Sequence, residues 1–122
     1  MPTRHQRPPR GRLKGWKKPA GAVMITRPNR WGNPHPIGTP CPVPRCDGAT
    51  HGRAGCIGEF MRDLRAGEHR RYVAGKPTGP ALGIPDAVRE LAGRDLVCAC
   101  ETDVACHGDV LIEFANNPEE TS

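Results

Sequence analysis

Glycine and proline punctuate this chain so densely, 15 and 14 times in 122 residues, that only a few short stretches can sustain regular structure. Proline removes a backbone donor and fixes φ, while glycine weakens helix and strand interiors alike. Ala22–Thr26 is a short apolar run closed by Arg27-Pro28, the pattern of a buried strand. Cys56, Ile57, Phe60, Met61 and Leu64 fall at helical spacing, with Gly67 as a stop. Pro85-Asp86 opens a second, short helix that carries Val88, Leu91 and Ala92 and ends at Gly93, a proline start and glycine stop. Asp95–Cys100 reads as a second buried strand. Val104, His107, Leu111 and Phe114 then form one stripe of a last helix, with Thr102 or Asp103 as its cap. Residues 72–84 read as loop. The order strand, helices, strand, helix predicts a small α/β sandwich with a short, mostly parallel sheet and flanking helices.

Hydrophobic residues make up 36% and aromatics 4% of the chain, so the core is modest and a staple would help it. One domain is expected over residues 20–117, with a Cys/His-rich loop at 38–56, an irregular basic arm at 1–19 and an acidic tail at 118–122. Residues 1–46 hold ten Lys/Arg and no acid, whereas 47–122 hold eight against thirteen Asp/Glu, so a front of +10 precedes a remainder of −5. Cations gathered on one arm suit phosphate backbones. Arg4, Arg7, Arg10, Arg12, Lys14, Lys17 and Lys18, with Trp16 to stack on a base, are the candidate nucleic-acid contacts. No apolar run approaches the roughly 20 residues needed to cross a bilayer, and no apolar stretch follows the basic N-terminus. The expected setting is therefore the cytoplasm, where six cysteines serve as metal ligands or reactive thiols before disulfides.

Cys98, Cys100, Cys106 and His107 stand where a strand ends and a helix begins, the place where α/β sheets collect ligands. Strand alternation puts Cys98 and Cys100 on one face. A thiolate at Cys106 gains from the helix dipole and from His107, which makes Cys106 a candidate nucleophile and His107 a candidate acid/base. The plainer reading is that Cys98 and Cys100 are small core residues and His107 is a satisfied helix histidine.

Cys41, Cys46, His51 and Cys56 give C-x4-C-x4-H-x4-C in a Gly/Pro-rich loop. A structural zinc ion held by these four is the direct expectation. Cys98, Cys100, Cys106 and His107 are the alternative ligands, and a mixed site also satisfies the count.

Three pieces, Ile25–Pro34 (ITRPNRWGNP), Leu91–Leu96 (LAGRDL) and CAC at 98–100 with CHGDVL at 106–111, resemble the domain of unknown function 4326, a family of small bacterial and actinobacteriophage proteins. The family pattern has Trp where this chain has Ala99, and the stretch 41–56 looks like an addition to it. The resemblance implies a nucleotide- or nucleic-acid-related domain. Its pocket is walled by Arg27, Asn29, Arg30, Trp31 and Asn33 on one side and by Cys106, His107 and Asp109 on the other. Arginine suits phosphate, and Trp31 is either a stacking platform or a core anchor. No glycine-rich dinucleotide or triphosphate motif accompanies them.

Three functions follow: an enzyme acting on a nucleotide or nucleic acid through Cys106 and His107, a non-catalytic zinc-stabilised nucleic-acid-binding module, and a host-directed phage accessory protein that docks on a host macromolecule. Sensitivity to Cys106→Ser marks the first. Sensitivity to loss of residues 1–18 marks the binders.

Overall fold

Strand β5 (Leu96–Cys98) organises the fold, because β1 (Arg4–Gln6) and β2 (Val23–Met24) both pair with it in parallel, one on each side. The computed structural model describes residues 2–8, 15–27, 29–73, 75–100 and 105–117. All three residues of β5 are buried, as expected of a parallel strand covered on both faces. Helices α1 (Arg53–Ala66), α2 (Ile84–Leu91) and α3 (His107–Asn116) flank this sheet, and an antiparallel hairpin, β3 (His69–Val73) and β4 (Lys76–Leu82), completes a small α/β fold. None of the helices among the described residues is long and apolar enough to cross a membrane.

Local chemistry fixes the helix ends. Gly67, at φ 69°, closes α1 with its N–H on the Asp63 and Leu64 carbonyls. Before α2, the Gly83 N–H donates to the Asp86 carboxylate at 2.8 Å. Helix α3 starts at His107, later than the periodicity placed it, and its N-cap is Cys106. The Cys106 sulfur accepts the Gly108 N–H at 3.4 Å, and the Asp109 carboxylate accepts the Cys106 N–H at 3.1 Å. Thr102 and Asp103, expected as caps, lie outside the described residues, as do Val104 and the tail at 118–122.

Two segments depart from expectation. The arm is not irregular throughout, since Arg4–Gln6 is an edge strand. Arg4 is consequently no free phosphate contact: its side chain is 5% exposed, its Nε donates to Asp109 at 3.1 Å and an Nη to the Cys100 carbonyl at 3.2 Å. Gly108 makes room for it, because a Cβ there would lie 2.8 Å from both Arg4 Cδ and Ile25 Cδ1. Arg7 also joins the fold through its N–H, which donates to the Cys98 carbonyl at 2.7 Å. Trp16 is half-buried and Lys17 and Lys18 are exposed, while Arg10, Arg12 and Lys14 lie outside the described residues. The second departure is the β3–β4 hairpin, which occupies most of the stretch read as loop.

The core is threaded by a column of rings. Trp31 stacks on His69 (5.7 Å, 10°), His69 meets Phe60 edge-on (4.9 Å), and Phe60 meets His107 edge-on (5.0 Å). The His69 Nε2–H donates to the Arg30 carbonyl at 2.8 Å, which leaves Nδ1 buried without a partner. Burial therefore lowers the His69 pKa from 6.5 to about 4. Between those values the unfolded chain takes up a proton that the folded chain refuses, so stability falls as pH drops through this window and levels off below it. Urea unfolding at pH 7, 5.5 and 4 should give wild-type protein a steeper loss than His69→Phe, by roughly 1.4 kcal/mol per unit of pKa depression. Identical pH dependence in the two proteins would contradict this account.

Candidate functional site

Because β2 and β5 run parallel, the chain leaves both strands at the same edge of the sheet, and a cavity of about 180 Å³ opens there. Thr26, Arg27 and Asn33 line it from the segment after β2, and Cys98, Ala99, Cys100, Cys106 and His107 from β5 and the start of α3. Arg53, Cys56 and Ile57 of the first turns of α1 close a third side. Two helix N-termini thus border one cavity, and none of the described residues lining it is acidic.

The pocket expected from the two motifs is divided. Arg27 and Asn33 join Cys106 and His107, whereas Asn29, Arg30 and Trp31 line a separate surface hollow with Lys18, Arg89, Glu90 and Arg94. Trp31 is 1% exposed and its Nε1–H donates to Glu90 at 3.2 Å. It is a core anchor and offers no stacking face to a ligand. Arg30 is paired with Glu90 at 3.3 Å, and Asn29 donates to the Thr26 carbonyl at 2.8 Å in a tight turn. Asp109 is absent from the described cavity lining, because its carboxylate is taken up by the Cys106 N–H and Arg4.

Three sulfurs meet at the cavity. The ligand atoms of Cys98, Cys100 and Cys106 lie within 4.8 Å of one another, and Cys106 donates its S–H to Cys98 at 3.4 Å. That hydrogen bond lowers the Cys98 thiol to about 5 against the opposing effect of burial, while the same bond and burial push Cys106 up. The two thiols therefore titrate as one pair that shares a proton across the 3.4 Å contact. His107 is buried, and burial lowers its pKa. Its Nε2–H donates to the Ile25 carbonyl at 3.0 Å, so its Nδ1 lone pair faces Cys106 Sγ at 3.6 Å.

A second cluster forms in the loop before α1, though not with the four residues expected. Cys41, Cys46 and His51 come together with His35, all four ligand atoms within 4.8 Å. His35 Nδ1 lies 3.2 Å from Cys41 Sγ and 3.5 Å from Cys46 Sγ. Metal–sulfur and metal–nitrogen bonds of about 2.3 and 2.0–2.1 Å in a tetrahedron require about 3.5 Å between such atoms. The His35 Nε2–H donates to Asp63 at 2.7 Å, and Arg45 donates to the same carboxylate at 2.7 Å. This carboxylate–histidine pairing orients a ligating imidazole. Burial alone would raise Asp63, but its bonds from His35 and Arg45 outweigh that and hold it below the usual carboxylate range. The His51 Nε2 is buried with no hydrogen-bond partner, as a nitrogen reserved for a cation would be. Burial and the neighbouring Cys41 push the Cys46 thiol up to about 12, so a metal bound there would displace its proton.

Cys56, the expected fourth ligand, is occupied elsewhere. It donates its S–H to the His35 carbonyl at 2.9 Å and accepts from Asn33 Nδ2 at 2.9 Å, and burial raises its thiol. Helix α1 directs it into the cavity and away from the loop. His35 went unnoticed between Pro34 and Pro36 because that stretch reads as turns. The available signal was its spacing, H-x5-C-x4-C-x4-H. Arg53 was also missed, an arginine at a helix start that carries no motif.

The sequence model of the family described as Domain of unknown function (DUF4326) matches residues 10–117. Neither the search of curated proteins nor that of solved structures returned a match.

Metal content measured by mass spectrometry should fall by one equivalent in His35→Gln and in Cys41→Ser, and should stay at the wild-type value in Cys56→Ser. Loss of metal in Cys56→Ser with none in His35→Gln would restore the set read from the sequence.

Proposed function

The chain belongs to the DUF4326 family, and we propose that it binds a small phosphate-bearing ligand of the nucleotide class in the cavity between the β2 and β5 strand ends. The sulfur cluster at the floor of that cavity would act on the ligand. The observation that carries this reading is the charge of the lining: Arg27 and Arg53, two helix N-termini and no acid among the described residues. Such a surface favours a multiply charged oxyanion. A cavity of about 180 Å³ is sized for the phosphate end of a ligand, with the remainder at the mouth. The loop centre at His35, Cys41, Cys46 and His51 fits a structural zinc ion, because two thiolates and two imidazoles with an oriented second partner form a closed set. A cytoplasmic setting, which keeps the thiols reduced, accompanies this reading.

In the metal-free cluster Cys98 and Cys106 share one proton across their 3.4 Å contact, with His107 Nδ1 at 3.6 Å from Cys106 Sγ. Nucleic-acid binding through the arm is the weaker use of the basic front. Arg4 is committed to Asp109 and to the Cys100 carbonyl, and Trp31 offers no base a platform.

Calorimetric titration with inorganic phosphate and with nucleoside monophosphates should detect binding to wild-type protein. Arg27→Ala should weaken it about tenfold or more, since a hydrogen bond to a charged group contributes roughly 1.5–3 kcal/mol. Binding unaffected by that change, or no binding of either probe, would refute the reading.

A further inference from the structure

We propose that Cys98, Cys100 and Cys106 form a second metal centre that holds one zinc ion through three thiolates and turns its fourth coordination position into the cavity. That position would take an oxygen of the bound ligand, or water in its absence. The ligand half of this inference rests on the phosphate reading above; the metal half stands without it.

Geometry is the first support. Zinc–sulfur bonds of about 2.3 Å in a tetrahedron set sulfur atoms about 3.8 Å apart. Cys106 and Cys98 are 3.4 Å apart and all three sulfurs lie within 4.8 Å, so small rotamer changes suffice. The backbone prepares this arrangement. Cys98 ends β5 and Cys100 lies in the bend that follows, their sulfurs within 4.8 Å, and Cys106 is held as the N-cap of α3 with the Gly108 N–H directed at its sulfur. A backbone N–H donating to sulfur stabilises the thiolate form that a metal requires.

Charge is the second support. Three thiolates on a divalent ion leave a net charge of −1, and an isolated buried negative charge is costly. Arg4 reaches the Cys100 carbonyl, and Arg27 and Arg53 line the same cavity, so cations stand ready on several sides.

The ligand set is also open, and this separates it from the loop centre. His107 is not part of the cluster: its Nδ1 lies 3.6 Å from Cys106 Sγ, but it is not among the ligand atoms that all lie within 4.8 Å of one another. Cys56 lines the cavity but gives its S–H to His35. Three protein ligands with a vacant position directed at a pocket is the arrangement of zinc sites that bind or activate a ligand, whereas a structural site is closed by four.

The test uses the full chain purified from zinc-supplemented culture under reducing conditions. Wild-type protein should carry two zinc ions, and Cys98→Ser, Cys100→Ser and Cys106→Ser should each carry one. Because a serine variant can fail to fold, Cys41→Ser reconstituted with cobalt provides a second readout. It should retain the intense near-ultraviolet charge-transfer band of a three-thiolate site, and its visible bands should move when inorganic phosphate is added. One zinc ion per wild-type chain, unchanged in Cys98→Ser, would overturn the centre. So would an intact mass showing a Cys98–Cys106 disulfide in place of the second ion. Visible bands indifferent both to phosphate and to other small anions would overturn the open position. Two zinc ions with no phosphate affinity would uphold the metal centre and refute the ligand reading, while phosphate affinity in a one-zinc protein would do the reverse.

Discussion

The parallel pairing of β2 with β5 is the constraint on which the rest of the site depends. In an antiparallel pair the two motifs would leave opposite edges of the sheet and never meet. In parallel they leave together, and the register Val23 to Leu96 and Met24 to Val97 sets Thr26 and Arg27 beside Cys98 and Cys100. The bond from His107 Nε2 to the Ile25 carbonyl then fastens the start of α3 to the end of β2. A helix that begins at a cysteine is thereby held against the strand whose following loop supplies the arginine.

One short segment ties this cavity to the loop centre. Asn33 accepts the His35 N–H at 2.9 Å and donates to Cys56, which in turn donates to the His35 carbonyl. His35 turns its ring the other way, towards Cys41, Cys46 and Asp63. The backbone around His35 therefore supports the cavity wall while its side chain joins the cysteine loop. A cation in that loop would stiffen the wall without touching a ligand, which is how a local stabiliser can matter to binding a few residues away.

Much of this was legible in the sequence, and the exceptions share a cause. Strands β2 and β5 and helices α1 and α2 announced themselves through apolar spacing and glycine stops, because β5, α1 and α2 bury side chains of their own and β2 is flanked by the buried Ala22 and Ile25. Strand β1 did not, since Arg-His-Gln has no apolar pattern and is held by backbone pairing and by the close fit of Arg4 under Gly108. It also lies outside the residues matched by the family. The β3–β4 hairpin was hidden by Pro77, Gly79 and Pro80, which an exposed two-stranded ribbon tolerates better than a central strand. At the site, residue types were legible but partners were not. Spacing alone joined Cys56 to the loop ligands, whereas the course of α1 carries it into the cavity and leaves the vacancy to His35. Trp31 belonged to the same loop as Arg27, yet a turn with the Gly32 N–H on the Asn29 carbonyl sends the two side chains into different hollows.

Anomalous X-ray diffraction at the zinc absorption edge, on crystals of the zinc-loaded full chain, addresses the account most directly. It should give two peaks per chain, one surrounded by His35, Cys41, Cys46 and His51 and the other by Cys98, Cys100 and Cys106 at the cavity floor. A peak ligated by Cys56, or no peak at either cluster, would contradict it.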